Sequence, residues 1–127
     1  MKGRQIIQLA AVFGALSVAI GAFGAHSLQE VLEESGRTET FQTAVSYQFF
    51  HSLLLVAVGI TYVVKPHWKK LRWAALFIVI GILFFSGSLY ALSLTGISRF
   101  GAVAPFGGLS LILGWMTIIF AVKKRVQ

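Results

Sequence analysis

The stretch Ala44 to Val64, AVSYQFFHSLLLVAVGITYVV, decides how the rest of the chain is read. It is long and apolar enough to cross a bilayer, whose hydrocarbon core takes about 20 helical residues. Its outer third nevertheless carries Gln48, His51 and Ser52. Their i, i+3, i+4 spacing puts them on one face of a helix. Lipid cannot satisfy such a stripe, so it must point at other helices.

Working outward, the same kind of run recurs. The 127-residue chain is 57% apolar and 12% charged, with the charges confined to short stretches between apolar runs. That lies outside the soluble range. The pattern predicts an all-α, four-transmembrane-helix bundle in a single integral membrane domain, residues 1–127. The spans are expected at about 6–25, 44–64, 73–94 and 106–122. Lys2 and Arg4 ahead of Ile6 give the first run the look of a signal peptide. It is longer than the usual ~7–15-residue apolar core of such a peptide, so it reads as a retained helix.

Between the first two spans, residues 26–40 hold every acidic residue: Glu30, Glu33, Glu34 and Glu39. Ser27 with Glu30 spells a capping box, Leu28, Val31 and Leu32 make a short apolar face, and Gly36 is a stop. This predicts a short amphipathic helix at the membrane surface. Thr38 or Thr40 is expected to cap the second span. Pro66 should end that span at Lys65, and Pro105 should open the fourth.

The net charge of +7 does not point to nucleic acid, because no basic stretch has the needed extent. Lys65, Lys69, Lys70 and Arg72 lie beside Trp68 and Trp73, as at a membrane surface. With Lys2, Arg4, Lys123, Lys124 and Arg125 they alternate with two loops holding only Arg37 and Arg99. The positive-inside rule then places both termini in the cytoplasm. The absence of cysteine excludes disulfides, thiolate nucleophiles and iron–sulfur clusters.

Small residues mark packing faces. Ala10, Gly14, Ser17, Gly21 and Gly24 form one stripe, and Gly107, Gly108, Ser110 and Gly114 open the fourth span. Depth arithmetic at ~1.5 Å per residue puts His51 and Ser86 both roughly 20 Å from the cytoplasmic boundary. Gln48, Ser88 and Tyr90 fall in the same outer half. These five, with Arg99 in the outer loop, are the candidate ligand-binding residues, and the layer is expected to form a small pocket. The plainer reading has His51 bonded to Ser86, Tyr90 or a backbone carbonyl, locking the second span to the third. Gln48 and Ser88 then serve as interhelical glue, while Tyr47, Tyr62, Trp68 and Trp73 are interfacial anchors. Trp115 needs an acceptor for its N–H at mid-span.

Catalysis finds little support. There is no carboxylate within a span and no H-E-x-x-H, G-x-S-x-G or P-loop pattern. Ser88 with His51 lacks a carboxylate to orient the imidazole. No cofactor or metal is expected, and one histidine is thin support for haem.

Five motifs together resemble the YwdK/YgdD family: Gly21-Ala22-Phe23-Gly24-Ala25-His26, Tyr47-Gln48 with His51-Ser52-Leu53, Gly87 to Leu92, Ala104-Pro105-Phe106-Gly107-Gly108, and Gly114-Trp115. They occur in order over nearly the whole chain. The resemblance implies a small four-span protein of the bacterial inner membrane, in a family of unknown function with distant eukaryotic relatives. It carries over no catalytic or binding residue. The expected role is non-enzymatic: binding membrane lipids or a small apolar ligand, or supporting membrane organisation, as a homo-oligomer. The alternatives are an oligomeric channel or transporter built around His51 and, third, a membrane redox or hydrolytic enzyme.

Overall fold

Apolar runs fold as helices that stop where glycine, proline and charge interrupt them. The computed structural model describes residues 1–122, so Lys123, Lys124 and Arg125 lie outside the described residues. It contains α1 (Gly3–Ala25), α2 (Gln29–Ser35), α3 (Thr38–Val64), α4 (Leu71–Thr95) and α5 (Arg99–Ala121). All but α2 are long and apolar enough to cross a membrane. No strand occurs among the described residues. α2 and α4 end at Gly36 (φ 68°) and Gly96 (φ 70°), in the left-handed conformation that glycine adopts without steric penalty. α3 ends at Val64 because Lys65, held ahead of Pro66, leaves helical geometry at φ −123°, ψ 67°.

α1 packs along α3, α4 packs along α5, and α3 joins the two pairs. The end of the bundle nearest the chain termini is mostly apolar. Ile6, Ala10, Leu55, Val58, Leu71, Ala75, Ile78, Ile82 and Leu111 form one buried apolar cluster there. Packing rather than water exclusion must hold helices together in lipid, so close backbone approach matters. Gly107 gives the tightest case: a Cβ there would overlap the Phe85 amide and the Phe84 carbonyl carbon. Gly114 sits against Ile78, where an added Cβ would come within 2.7 Å. Gly59 and Gly81, which the sequence reading passed over, are as close to Ile7 and Leu111.

Three local expectations are corrected. Pro105 does not open the fourth span; it sits inside α5, which starts at Arg99. Its missing N–H costs one bond to Gly101, a loss that neighbouring helices let membrane helices tolerate. Ser27 does not cap α2, whose first flanking residue is Leu28, and neither Thr38 nor Thr40 caps α3, which follows Arg37. Both helices start without a side-chain cap, and α2 is instead pinned to the bundle by Leu32, 1% exposed. One feature was not foreseen. α4 passes through a π-helical turn at Ile82–Ser86, where the Gly87 N–H reaches back to the Ile82 carbonyl. This turn lies against α5.

Candidate functional site

α3 is the hub of the buried polar contacts. The Gln48 side-chain amide uses both of its ends. Nε2 donates to the Phe13 carbonyl of α1 at 2.8 Å, and Oε1 accepts from the Tyr90 hydroxyl of α4 at 2.6 Å. A turn further on, the His51 Nδ1 lies 2.8 Å from the Tyr47 carbonyl. A carbonyl can only accept, so Nδ1 carries the proton and Nε2 presents its lone pair. That lone pair accepts the indole N–H of Trp115 at 3.2 Å. The histidine therefore ties α3 to α5, and not to α4 as the sequence reading had it. It also supplies the acceptor that Trp115 required.

Serines complete the belt. The Ser86 hydroxyl donates to the Ala44 carbonyl across the α4–α3 seam at 2.7 Å, and Ser110 donates to the Phe77 carbonyl across α5–α4 at 2.7 Å. Ser52 returns to the Gln48 carbonyl of its own helix at 2.6 Å. Ser88 is no interhelical glue: its hydroxyl donates to Phe85 within α4 at 3.0 Å. Arg99 opens α5 with an exposed side chain and takes no part in these contacts. Tyr47 lays its ring on Phe85, with centroids 4.5 Å apart, in addition to meeting His51. Among the described residues, no buried side-chain nitrogen or oxygen lacks a hydrogen-bond partner. Unpaired polar groups are costly in a bilayer, so this closure is what the environment demands.

A groove of about 490 Å³ lies beside the belt, at the corner of α1, α2 and α3. That falls within the range of small-molecule sites, roughly 300–1,000 Å³. Two polar rails border it: Gln29 and Glu33 on α2, and Thr38, Gln42 and Ser46 on α3. The i, i+4 spacing of each rail keeps its members on one helix face. Gly21, Gly24, Leu32, Phe41 and Val45 form the apolar floor. Gly21 and Gly24 keep that floor low, since a Cβ on Gly24 would run into the Phe41 ring and one on Gly21 would come 3.2 Å from Val45. Gly14 and Gly108 are less tightly placed: an added Cβ would lie 3.9 Å from Ser52 and 3.6 Å from the Phe85 ring, ordinary contact distances. Phe41, 3% exposed, joins groove to belt by packing its ring 5.4 Å from that of Tyr90.

Of the sequence-derived candidates, Gln48, His51, Ser86 and Tyr90 meet in the belt, while Ser88 and Arg99 do not join them. The groove residues were missed as a site. Their signal is present in the i, i+4, i+8 run Thr38, Gln42, Ser46, of which the sequence reading uses only Thr38, as a helix cap. Among the described residues no group of three His, Asp or Glu side chains is placed to hold a metal ion.

A bundle of four membrane-length helices joined by short turns, its polar groups paired within the bundle, defines a small multi-span integral membrane protein. Residues 20–108 match the family model described as protein of unknown function (DUF423). The UPF0382 membrane protein of Staphylococcus haemolyticus is 39% identical, over 97% of this chain and 98% of its own. YwdK of Bacillus subtilis, a UPF0382 membrane protein, is 36% identical over 95% and 98%. The UPF0382 inner membrane protein YgdD of Escherichia coli is 34% identical over 98% and 95%. The chain belongs to this DUF423/UPF0382 membrane protein family. No solved structure matches it.

Proposed function

We propose that this protein is a non-enzymatic binding protein for a membrane amphiphile. In this reading it sits in the bacterial plasma membrane with both termini cytoplasmic and holds its ligand at the outer boundary. The observation that carries the proposal is the groove, with polar rails above an apolar glycine floor at the end of the bundle away from the termini. An amphiphile meets both surfaces at once, head between the rails and chain on the floor. The belt supports the same reading, because its buried polar atoms are hydrogen-bonded within the bundle and belong to the scaffold. Orientation is supported by the basic turn at Lys65, Lys69, Lys70 and Arg72, where the Arg72 guanidinium stacks over Trp73 at 5.9 Å from the ring centroid.

Native mass spectrometry of the protein released from mild detergent tests the proposal. The expected result is a discrete species, of one or several copies, retaining a stoichiometric bound mass that Ser46→Trp removes by filling the groove. A bare protein in both cases overturns it. So does a mass that Ser46→Trp leaves in place.

A further inference from the structure

We infer that the ligand's head is a cationic nitrogen, a primary or quaternary ammonium, seated beside the Glu33 carboxylate. The inference rests on the amphiphile reading above and specifies the chemistry of its polar end. Among the described residues, Glu33 is the only charged one lining the groove. One of its oxygens accepts the Gln29 amide at 3.1 Å, which holds the carboxylate in place along the α2 rail. A carboxylate has about four lone-pair sites, so that single bond leaves room for further donors. The side-chain oxygens of Gln29, Thr38, Gln42 and Ser46 add neutral acceptors around the same space.

An anionic head would fare worse. Phosphate and carboxylate recognition calls on arginine or lysine, and neither lines the groove. The surrounding segment, residues 26–40, adds Glu30, Glu34 and Glu39 against Arg37 as its only Lys or Arg. In a chain of net charge +7 this end is locally acidic, and the field draws cations in and turns anions away. The floor sets the other half of the specificity. Gly21 and Val45 leave an apolar path for a chain running toward the membrane interior, past exposed Phe49 and Leu53 on α3.

The test uses the full chain in phosphatidylglycerol vesicles, which contain no amine. Two spin-labelled octadecyl probes, one ending in an ammonium and one in an alcohol, report by electron paramagnetic resonance the fraction held by the protein. The expected result is a preference for the ammonium probe of about two- to fivefold, the ratio an exposed ion pair gives. It should grow as salt is lowered and fall to parity in Glu33→Gln. Ser46→Trp should release both probes. Equal binding of the two probes, both lost in Ser46→Trp, would overturn the cationic head and leave the groove standing. An ammonium preference that survives Glu33→Gln overturns it as well. If Ser46→Trp releases neither probe, the amphiphile reading itself fails. Circular dichroism melts of the three proteins show that each is folded.

Discussion

Gln48 and Gln42 are the same residue type on the same helix, less than two turns apart, and the bundle treats them in opposite ways. Gln48 is 4% exposed, with both ends of its amide bonded to other helices. Gln42 is exposed on the rim of the groove. The difference between belt and groove is one of accounting for polar atoms. At depth in lipid a polar side chain must find a partner within the protein, and once it has, it is part of the scaffold. Near the boundary a polar side chain can stay open, and open groups are the ones that can meet a ligand. Intramembrane polarity alone is therefore a poor guide to a site in this protein.

The largest expected effect lies on the scaffold side. Gly107→Ala sets a methyl against the Phe85 backbone, which no side-chain rotation can relieve. Overpacking costs ~1–3 kcal/mol and sometimes more, and the upper end, about 3 kcal/mol, is expected here. A detergent unfolding curve measures it, and an unchanged midpoint would mean that α4 and α5 are not so close. Next comes the pair that opened the comparison. Gln48→Leu strips the Tyr90 hydroxyl of its acceptor, at ~1–3 kcal/mol for a buried group left unpaired. Gln42→Leu should stay within ~0.5 kcal/mol, as surface changes do. Equal losses for the two glutamines would erase the distinction between belt and groove.

Much of this architecture was legible in the chain. Hydrophobic runs, Gly36, Gly96 and Pro66 set helix ends by local rules of backbone geometry, and those rules act within a few residues. Pro105 misleads because the same local rule names it a helix opener, whereas α5 already starts at Arg99 and carries it inside the helix. The π-helical turn at Ile82–Ser86 has no local signature in the sequence; it lies where α4 packs against α5. Gln48 and His51 were identifiable as inward-facing from spacing alone. Their partners were not: nothing in the sequence says that the imidazole meets Trp115, 64 positions away, and not Ser86. The groove was missed for the opposite reason. It is made of ordinary surface residues, and only the docking of α2 by Leu32 turns two polar stripes into facing walls.

The His51–Trp115 contact gives a smaller and more specific effect. A double-mutant cycle of His51→Phe and Trp115→Phe isolates the imidazole–indole bond from the packing of the two rings. Interhelical bonds of this kind average ~0.6 kcal/mol and reach ~1.7 kcal/mol in membrane proteins. A coupling in that range is expected, with additivity as the outcome that would remove His51 from the scaffold. Acidification offers a second readout. Protonating Nε2 sets an N–H against the indole N–H, so the coupling should vanish once His51 is charged.

The finest test compares Ser86 with Ser88, two positions apart in sequence and both buried. Ser86 reaches the Ala44 carbonyl of another helix at 2.7 Å, whereas Ser88 reaches Phe85 of its own at 3.0 Å. Replacing Ser86 with Ala removes a tie between helices, yet the Ala44 carbonyl keeps its place in the α3 ladder. The loss should thus sit near the average interhelical bond, ~0.6 kcal/mol. Replacing Ser88 with Ala breaks only a bond within one helix, which persists wherever that helix persists. Its cost should be near zero, because the unfolded bundle in a membrane still contains the helix. A Ser88→Ala loss as large as that of Ser86→Ala would place Ser88 against a group outside its own helix, and the belt would have to be redrawn to include it.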